Sequence, residues 1–233
     1  MSESQPFDLV VIGGGPAGYV GAIRAAQLGL TVACVERDKL GGICLNWGCI
    51  PTKALLAGAE FYQRLRHDAK AWGIEADNVR HNWTQVIARS RGVADKLAKG
   101  IGALFKKNKI THIQGHATIR RPGMVEVRDA NGKTTRTLRS RNTLIATGAV
   151  PRGLVTPASS ANASDFDGQK ILSYKEAMSL PQQPKTLLIV GAGAIGMEFA
   201  YFYNAFGTGV TVVEMLDRLL PTEDHEVSRE IAR

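Results

Sequence analysis

The sequence predicts an α/β protein with parallel sheets, built on two copies of one strand–turn–helix–strand unit. Three observations carry this. Residues 10–18 read VVIGGGPAG and residues 188–196 read LIVGAGAIG, so Gly13, Gly15 and Gly18 align with Gly191, Gly193 and Gly196 at one constant offset. At the same offset Gly29 aligns with Gly207 and Glu36 with Glu214, an acid at the end of each second strand. Between the copies, apolar runs with strand and helix periodicities alternate.

A lone G-x-G-x-x-G is weak, because glycine-rich turns are common. Here each copy follows an apolar strand and opens a helix, the context of a Rossmann-like dinucleotide-binding turn. The first glycine permits the tight turn, the second lets backbone approach a pyrophosphate, and the third lets helix pack on strand. The diphosphate then faces a positive helix N-terminus, and Glu36 or Glu214 can accept from ribose hydroxyls. Two dinucleotides are expected.

Residues 51–72 and 83–108 read as helices, the first with Pro51 in its opening turn. Residues 110–119, 124–128 and 134–138 read as strands of a small antiparallel meander, with Asn131-Gly132 as a hairpin turn. Residues 143–146 read as a closing strand, and 156–168, rich in Ser, Ala, Asn and Asp, as a loop. The expected organisation is therefore a first domain over 1–150, a linker over 151–184 and the start of a second domain over 185–233.

The chain has 233 residues, 44% hydrophobic and 21% charged, which suits a globular core and excludes disorder, collagen and coiled coil. No apolar run approaches a membrane span, and the N-terminus lacks a signal-type pattern, so a cytoplasmic location is expected, or an organellar one after loss of a transit segment. The net charge of +8 raises nucleic acid as a partner. Its sources are scattered, from Lys106, Lys107 and Lys109 to Arg120, Arg121, Arg136, Arg139 and Arg141, with no interleaved aromatics; a solvated face is expected and nucleic acid is not.

Residues 41–53 read GGICLNWGCIPTK. Cys44 and Cys49 flank a glycine and precede a helix start, where the dipole and free N–H groups favour a thiolate. Lys53 falls on the same helical face as Cys49. A zinc site would need further ligands that do not accompany the pair; an inert structural pair is the other rival. A redox-active pair fits better, and Cys34, inside VACVE, reads as core. Two dinucleotides and a reactive dithiol outline an electron path from dithiol through a flavin to a nicotinamide.

With both glycine turns, the segment GGICLNWGCIPTKALL resembles the flavoprotein disulfide reductases. Ile43, Leu45, Ile50, Thr52 and Ala54-Leu55-Leu56 are similar to the branch acting on dihydrolipoamide rather than to the glutathione or mercuric reductases. The resemblance implies FAD held by Gly13, Gly15, Gly18, Glu36, Lys53, Ala117, Thr147 and Gly148. It implies NAD held by Gly191, Gly193, Ala194, Ile195, Gly196 and Glu214, because a carboxylate at Glu214 disfavours a 2′-phosphate. Cys49 would touch the flavin, Cys44 would exchange with substrate, and Glu198 would pair with Lys53.

The implied reaction oxidises protein-bound dihydrolipoamide, with lipoyl domains of 2-oxo acid dehydrogenase complexes as partners and a homodimer as the assembly. Other disulfide reductases, or a nucleotide-binding fragment without turnover, are the alternatives. The family's acid–base His-Glu pair lies in a C-terminal domain that none of His67, His81, His112, His116 or His225 matches, so an N-terminal piece of a longer protein is expected. No metal is implied.

Overall fold

The structure is a computed structural model describing residues 5–151, 153 and 166–233; the loop expected over 156–168 lies outside the described residues as far as 165. Two compact units form, one from residues 1–50 and 92–154, the other from 51–91 and 155–233.

In the first unit β1 (Phe7–Ile12) leads through the glycine turn into α1 (Pro16–Gln27) and β2 (Val32–Glu36). A short helix α2 (Gly42–Trp47) follows, then the start of α3 (Cys49–Gln63). The later part of α4 (Trp83–Lys107) precedes β3 (Thr111–Gln114), β4 (His116–Arg121), β5 (Met124–Arg128) and β6 (Thr134–Ile145). The sheet order is β3-β2-β1-β6-β5-β4. Strands β3, β2, β1 and the end of β6 are parallel, while the start of β6 pairs antiparallel with β5, and β5 with β4.

Packing on both faces explains why β1 is apolar from Leu9 to Ile12 and β2 from Val32 to Val35. Val11, Val32 and Cys34 face a layer with Ala22, Ala25, Ile101 and Phe105, whereas Val10, Ile12, Ala33 and Val35 face Val125, Val127 and Leu138 of the meander. A strand covered on both faces has no polar side.

Two of the strand expectations change. The strand expected over 110–119 is two, because Gly115 takes φ 151° and a Cβ there would lie 2.6 Å from Val127 Cγ1; β3 joins the parallel sheet and β4 the meander. The strands expected at 134–138 and 143–146 are one: β6 pairs with β5 through Thr134–Arg139 and with β1 through Ser140–Ile145, and Arg139 and Arg141 hide that continuity in the sequence. Of the scattered arginines, Arg120 lies 2.8 Å from Glu126 and Arg141 3.0 Å from Asp8.

In the second unit β7 (Thr186–Val190) and β8 (Gly209–Val213) pair in parallel around α6 (Ala194–Ala205). Short helices α5 (Tyr174–Ala177) and α7 (His225–Ile231) belong here. So does most of α3, which ends in a π-turn over Arg64–Asp68 and a 3₁₀ turn over Ala69–Trp72. The segment 51–91 thus sits with the second repeat rather than inside a continuous domain over 1–150. Its Trp83 ring lies 5.4 Å from Phe202 and 5.5 Å from Tyr203, in a cluster where Phe199, Phe202, Tyr203 and Phe206 are buried. Among the described residues no helix is long and apolar enough to cross a membrane.

Candidate functional site

Both glycine turns are built alike. Gly13 has φ 102° and Gly191 φ 107°, a region that only glycine enters without strain. Gly13 N–H donates to Val35 O at 2.8 Å, and Gly191 N–H to Val213 O at 2.8 Å. A Cβ on Gly18 would run into Gly13 O, and one on Gly196 into Gly191 O, so each third glycine lets helix and strand touch. Gly15 and Gly193 precede α1 and α6 without any side-chain cap, whereas Ser173 and Asp224 cap α5 and α7. The first-turn N–H groups of α1 and α6, including those at Ala194 and Ile195, are therefore not taken by a capping side chain, which suits an anion.

Each acid at the strand end folds back onto its own turn. Glu36, 9% exposed, accepts from Gly14 N–H at 2.6 Å and from Asp38 N–H at 2.8 Å. Glu214 accepts from Ala192 N–H at 2.7 Å, Met215 N–H at 2.8 Å and Leu216 N–H at 3.0 Å. Those amides, Leu216 and Ala192 foremost, hold the Glu214 carboxyl below the usual carboxylate range. A carboxylate offers about four lone-pair directions, so both acids keep capacity for a ribose hydroxyl. Beside Glu214 lies a cavity of about 340 Å³, lined also by Leu216, Arg218, His225 and Arg229.

The cysteines are joined as a disulfide, Cα–Cα 4.7 Å, which takes both sulfurs out of metal ligation in this state. The sequence did not reveal that Cys44 sits on a helix of its own. Helix α2 begins at Gly41 and Gly42, both at positive φ, and a Cβ on Gly42 would lie 2.6 Å from Gly15 Cα. The disulfide segment and the first glycine turn are thus in backbone contact, an arrangement only glycines allow. Asn46, buried within α2, donates to Leu40 O at 3.0 Å and Gly42 O at 2.9 Å. Trp47 donates to Asp38, two residues past Glu36, at 3.3 Å, and Lys39 lies over its ring at 5.7 Å. Asn46, Trp47 and Asp38 tie α2 to the acid loop; the signal available for Asn46 and Trp47 was their position inside the C-x4-C loop, and for Asp38 its place two residues past Glu36.

Cys49 is the first residue of α3 and is exposed, while Cys44 is half-buried. Pro51 falls in the first turn, where its missing N–H costs nothing. Lys53, one turn on, is ion-paired with Glu198 of α6. Helical spacing leaves Glu198 an ordinary acid; only the resemblance singles it out. Ala117 lies in β4, and Thr147 and Gly148 follow β6, with Ala146 bonded back to Ile12 O at 2.8 Å. Cys34 is buried and free, its thiol pushed up to about 12 by burial and then by Glu36.

The cradles are the right chemistry for dinucleotides: uncapped helix starts, glycines where backbone must come close, and a carboxylate at each strand end. A family model described as pyridine nucleotide-disulphide oxidoreductase matches residues 7–233. The dihydrolipoyl dehydrogenase of Zymomonas mobilis is 47% identical over 227 residues, covering 97% of this chain and 47% of that protein. The dihydrolipoyl dehydrogenase of Bacillus subtilis is 44% identical over 232 residues, again 97% of this chain and 47% of that protein. That of Mycobacterium tuberculosis is 45% identical, with 97% and 47% covered. The chain therefore spans about half the length of the curated relatives it matches. Matched nearly end to end, and carrying both glycine turns and the disulfide on the helix that begins at Cys49, the chain belongs to the pyridine nucleotide-disulphide oxidoreductase family.

Proposed function

We propose that this chain supplies the disulfide and both dinucleotide cradles of a dihydrolipoyl dehydrogenase. The observation that carries the reading is the Cys44–Cys49 disulfide set at the first residue of α3, one turn before a lysine paired with Glu198. Gly13, Gly15, Gly18, Glu36, Ala117, Thr147 and Gly148 would hold FAD with Lys53 beside it, and Gly191, Gly193, Ala194, Ile195, Gly196 and Glu214 would hold NAD. Bound there, the flavin and the nicotinamide supply the two-electron carriers that take electrons from the dithiol and deliver them as hydride.

The chain's own part is thiol exchange. A substrate thiolate attacks Cys44 Sγ, and the Cys44–Cys49 bond breaks with its electron pair going to Cys49. The start of α3 and the Lys53 cation favour that thiolate, which makes Cys49 the better leaving group. The second substrate thiolate then attacks the sulfur bonded to Cys44, closing the cyclic disulfide of lipoamide and leaving two reduced cysteines. Lipoyl domains of 2-oxo acid dehydrogenase complexes in the cytoplasm would be the substrate carriers, and a homodimer the working assembly; the similarity to dihydrolipoyl dehydrogenases supports the lipoyl specificity.

The test is steady-state kinetics of the full-length protein with dihydrolipoamide and NAD, against NADPH with glutathione disulfide. Turnover of the first pair with bound FAD is expected, and preference for the second overturns the reading. Cys44→Ser should leave a thiolate at Cys49 and produce a long-wavelength flavin absorption without reductant, while Cys49→Ser should abolish it. The opposite pattern reverses the two roles.

A further inference from the structure

The Lys53–Glu198 pair joins α3 to α6, yet it is too weak to hold those helices in register. The Lys53 side chain is 64% exposed and Glu198 29%, and an ion pair so open to water adds little once two long side chains are ordered. The firm contacts lie at the far ends of the same two helices. Gln63, ending α3, donates to Ala205 O, ending α6, at 2.5 Å. The Tyr62 ring stacks on Phe206 at 5.1 Å and 16°. His81 closes edge-on against both, 5.2 Å from Tyr62 and 4.9 Å from Phe206.

The polar groups of this cluster form one directed chain. Thr208 Oγ1 donates to Pro184 O at 2.8 Å, so it accepts from Gln183 Nε2 at 3.3 Å. Gln183 Nε2 also donates to Phe206 O at 2.9 Å, which turns its carbonyl oxygen toward His81 Nε2 at 2.8 Å. His81 Nε2 is then the donor, and Nδ1 accepts the Tyr62 hydroxyl at 3.3 Å. Every member is satisfied, and such networks select one packing over its neighbours.

We propose that Tyr62, His81 and Gln183 are positioning residues that lock α3 against α6 and thereby keep Lys53 on Glu198. A slip at the cluster shifts α3 as a rigid body, so its other end, with Lys53, moves too. The importance of Lys53 for turnover rests on the function proposed above; its placement by the cluster does not.

The test uses the full-length protein and a water-soluble carbodiimide, which joins an amine to a carboxylate in contact with it. The Lys53–Glu198 cross-linked peptide, quantified by mass spectrometry, is the readout. An internal control is the Lys39–Asp95 pair of the first unit, 3.7 Å apart. His81→Ala should lower the 53–198 yield about threefold or more, by the coupling such remote changes usually exert, and leave the control yield unchanged. His81→Gln, whose amide can still donate to Gln183 and accept from Tyr62, should restore it. If His81→Ala does not accumulate, Tyr62→Leu removes the stack on Phe206 and reads the same yield.

An unchanged 53–198 yield overturns the proposal, as does an equal fall in both cross-links, which would mean general loosening. Turnover separates the two readings. Lost cross-link with lost turnover, restored together in His81→Gln, supports both. Lost cross-link with full turnover leaves the positioning standing and removes Lys53 from the proposed reaction.

Discussion

The two glycine-turn units share their local hydrogen bonds and differ in what covers them. In each, the turn's first N–H meets the carbonyl before the strand-end acid, and that acid accepts the next N–H, Gly14 for Glu36 and Ala192 for Glu214. Yet β2 is buried at all five positions, while β8 alternates exposed with half-buried. Leu188, Val190 and Val213 are each at least half exposed. The reason is the sheet: β1 lies between β2 and β6, whereas β7 has β8 alone among the described residues. The turn is thus a local product of its sequence, and its burial is a product of remote strands.

The largest way to break the symmetry is chemical, since only the first unit runs on into a C-x4-C loop. Replacing either Cys44 or Cys49 by Ser in the full-length protein should lower dihydrolipoamide turnover by roughly three orders of magnitude or more, because residues acting as one unit fail together. Nicotinamide binding through the second unit, followed by fluorescence quenching, should remain. Loss of both would mean that the disulfide segment also shapes the second cradle.

Next come the turn glycines. Gly13→Ala meets both strain at φ 102° and a collision with Ala146 O, whereas Gly191→Ala meets strain alone, with no atom within 4 Å among the described residues. Expected costs in urea unfolding are about 2–4 kcal/mol for the first, combining strain and overpacking, and about 1–2 kcal/mol for the second. Equal costs in the full-length protein would show that residues outside this chain close over Gly191 as Ala146 closes over Gly13.

What could be read beforehand follows the same division. The turns, Glu36, Glu214 and the cysteine pair were legible because their chemistry depends on residues close in sequence. Helix α2 was not, since six residues between glycines carry no helical period, and its stability comes from Asn46 and from backbone contact with Gly15. Nor was the union of 51–91 with the second repeat, which depends on Tyr62, His81 and Trp83 meeting Phe202 and Phe206 from far along the chain. Strand β6 escaped because one strand serves a parallel and an antiparallel neighbour, so its pattern changes halfway.

The acids offer a finer comparison. Glu214→Ala should weaken NAD about tenfold or more, because charge-assisted bonds to ribose are lost, and narrow the gap to NADP in kcat/KM ratios. The sign of its pH dependence follows from its lowered folded value: Glu214 secures its turn above the ordinary carboxylate pKa, and that contribution is lost as pH falls through the folded value. NAD affinity titrated downward from pH 7 should therefore hold through the ordinary carboxylate range and weaken only below it. An unchanged NAD/NADP ratio in Glu214→Ala would take the residue out of the cradle.

The smallest effect concerns one position where the units differ in kind: Cys34 in β2 aligns with Val212 in β8. Cys34 is fully buried, its Sγ 3.8 Å from Gly13 O, and the low-dielectric core together with Glu36 pushes its thiol up to about 12. Because the thiolate is the reactive form, iodoacetamide at pH 8 should leave Cys34 untouched in the native protein while alkylating Cys44 and Cys49 after reduction. The neutral thiol's contribution is present below the ordinary thiol pKa and is lost as pH rises from there toward about 12. Cys34→Val, the residue its counterpart uses, keeps an apolar group of similar volume and should cost less than about 1.5 kcal/mol. It should also remove that alkaline loss, seen as a flatter Tm between pH 8 and 10 than the parent shows. A native Cys34 that alkylates readily at pH 8 would mean that β2 opens to solvent, and that the burial separating the two units is a smaller difference than the structure shows.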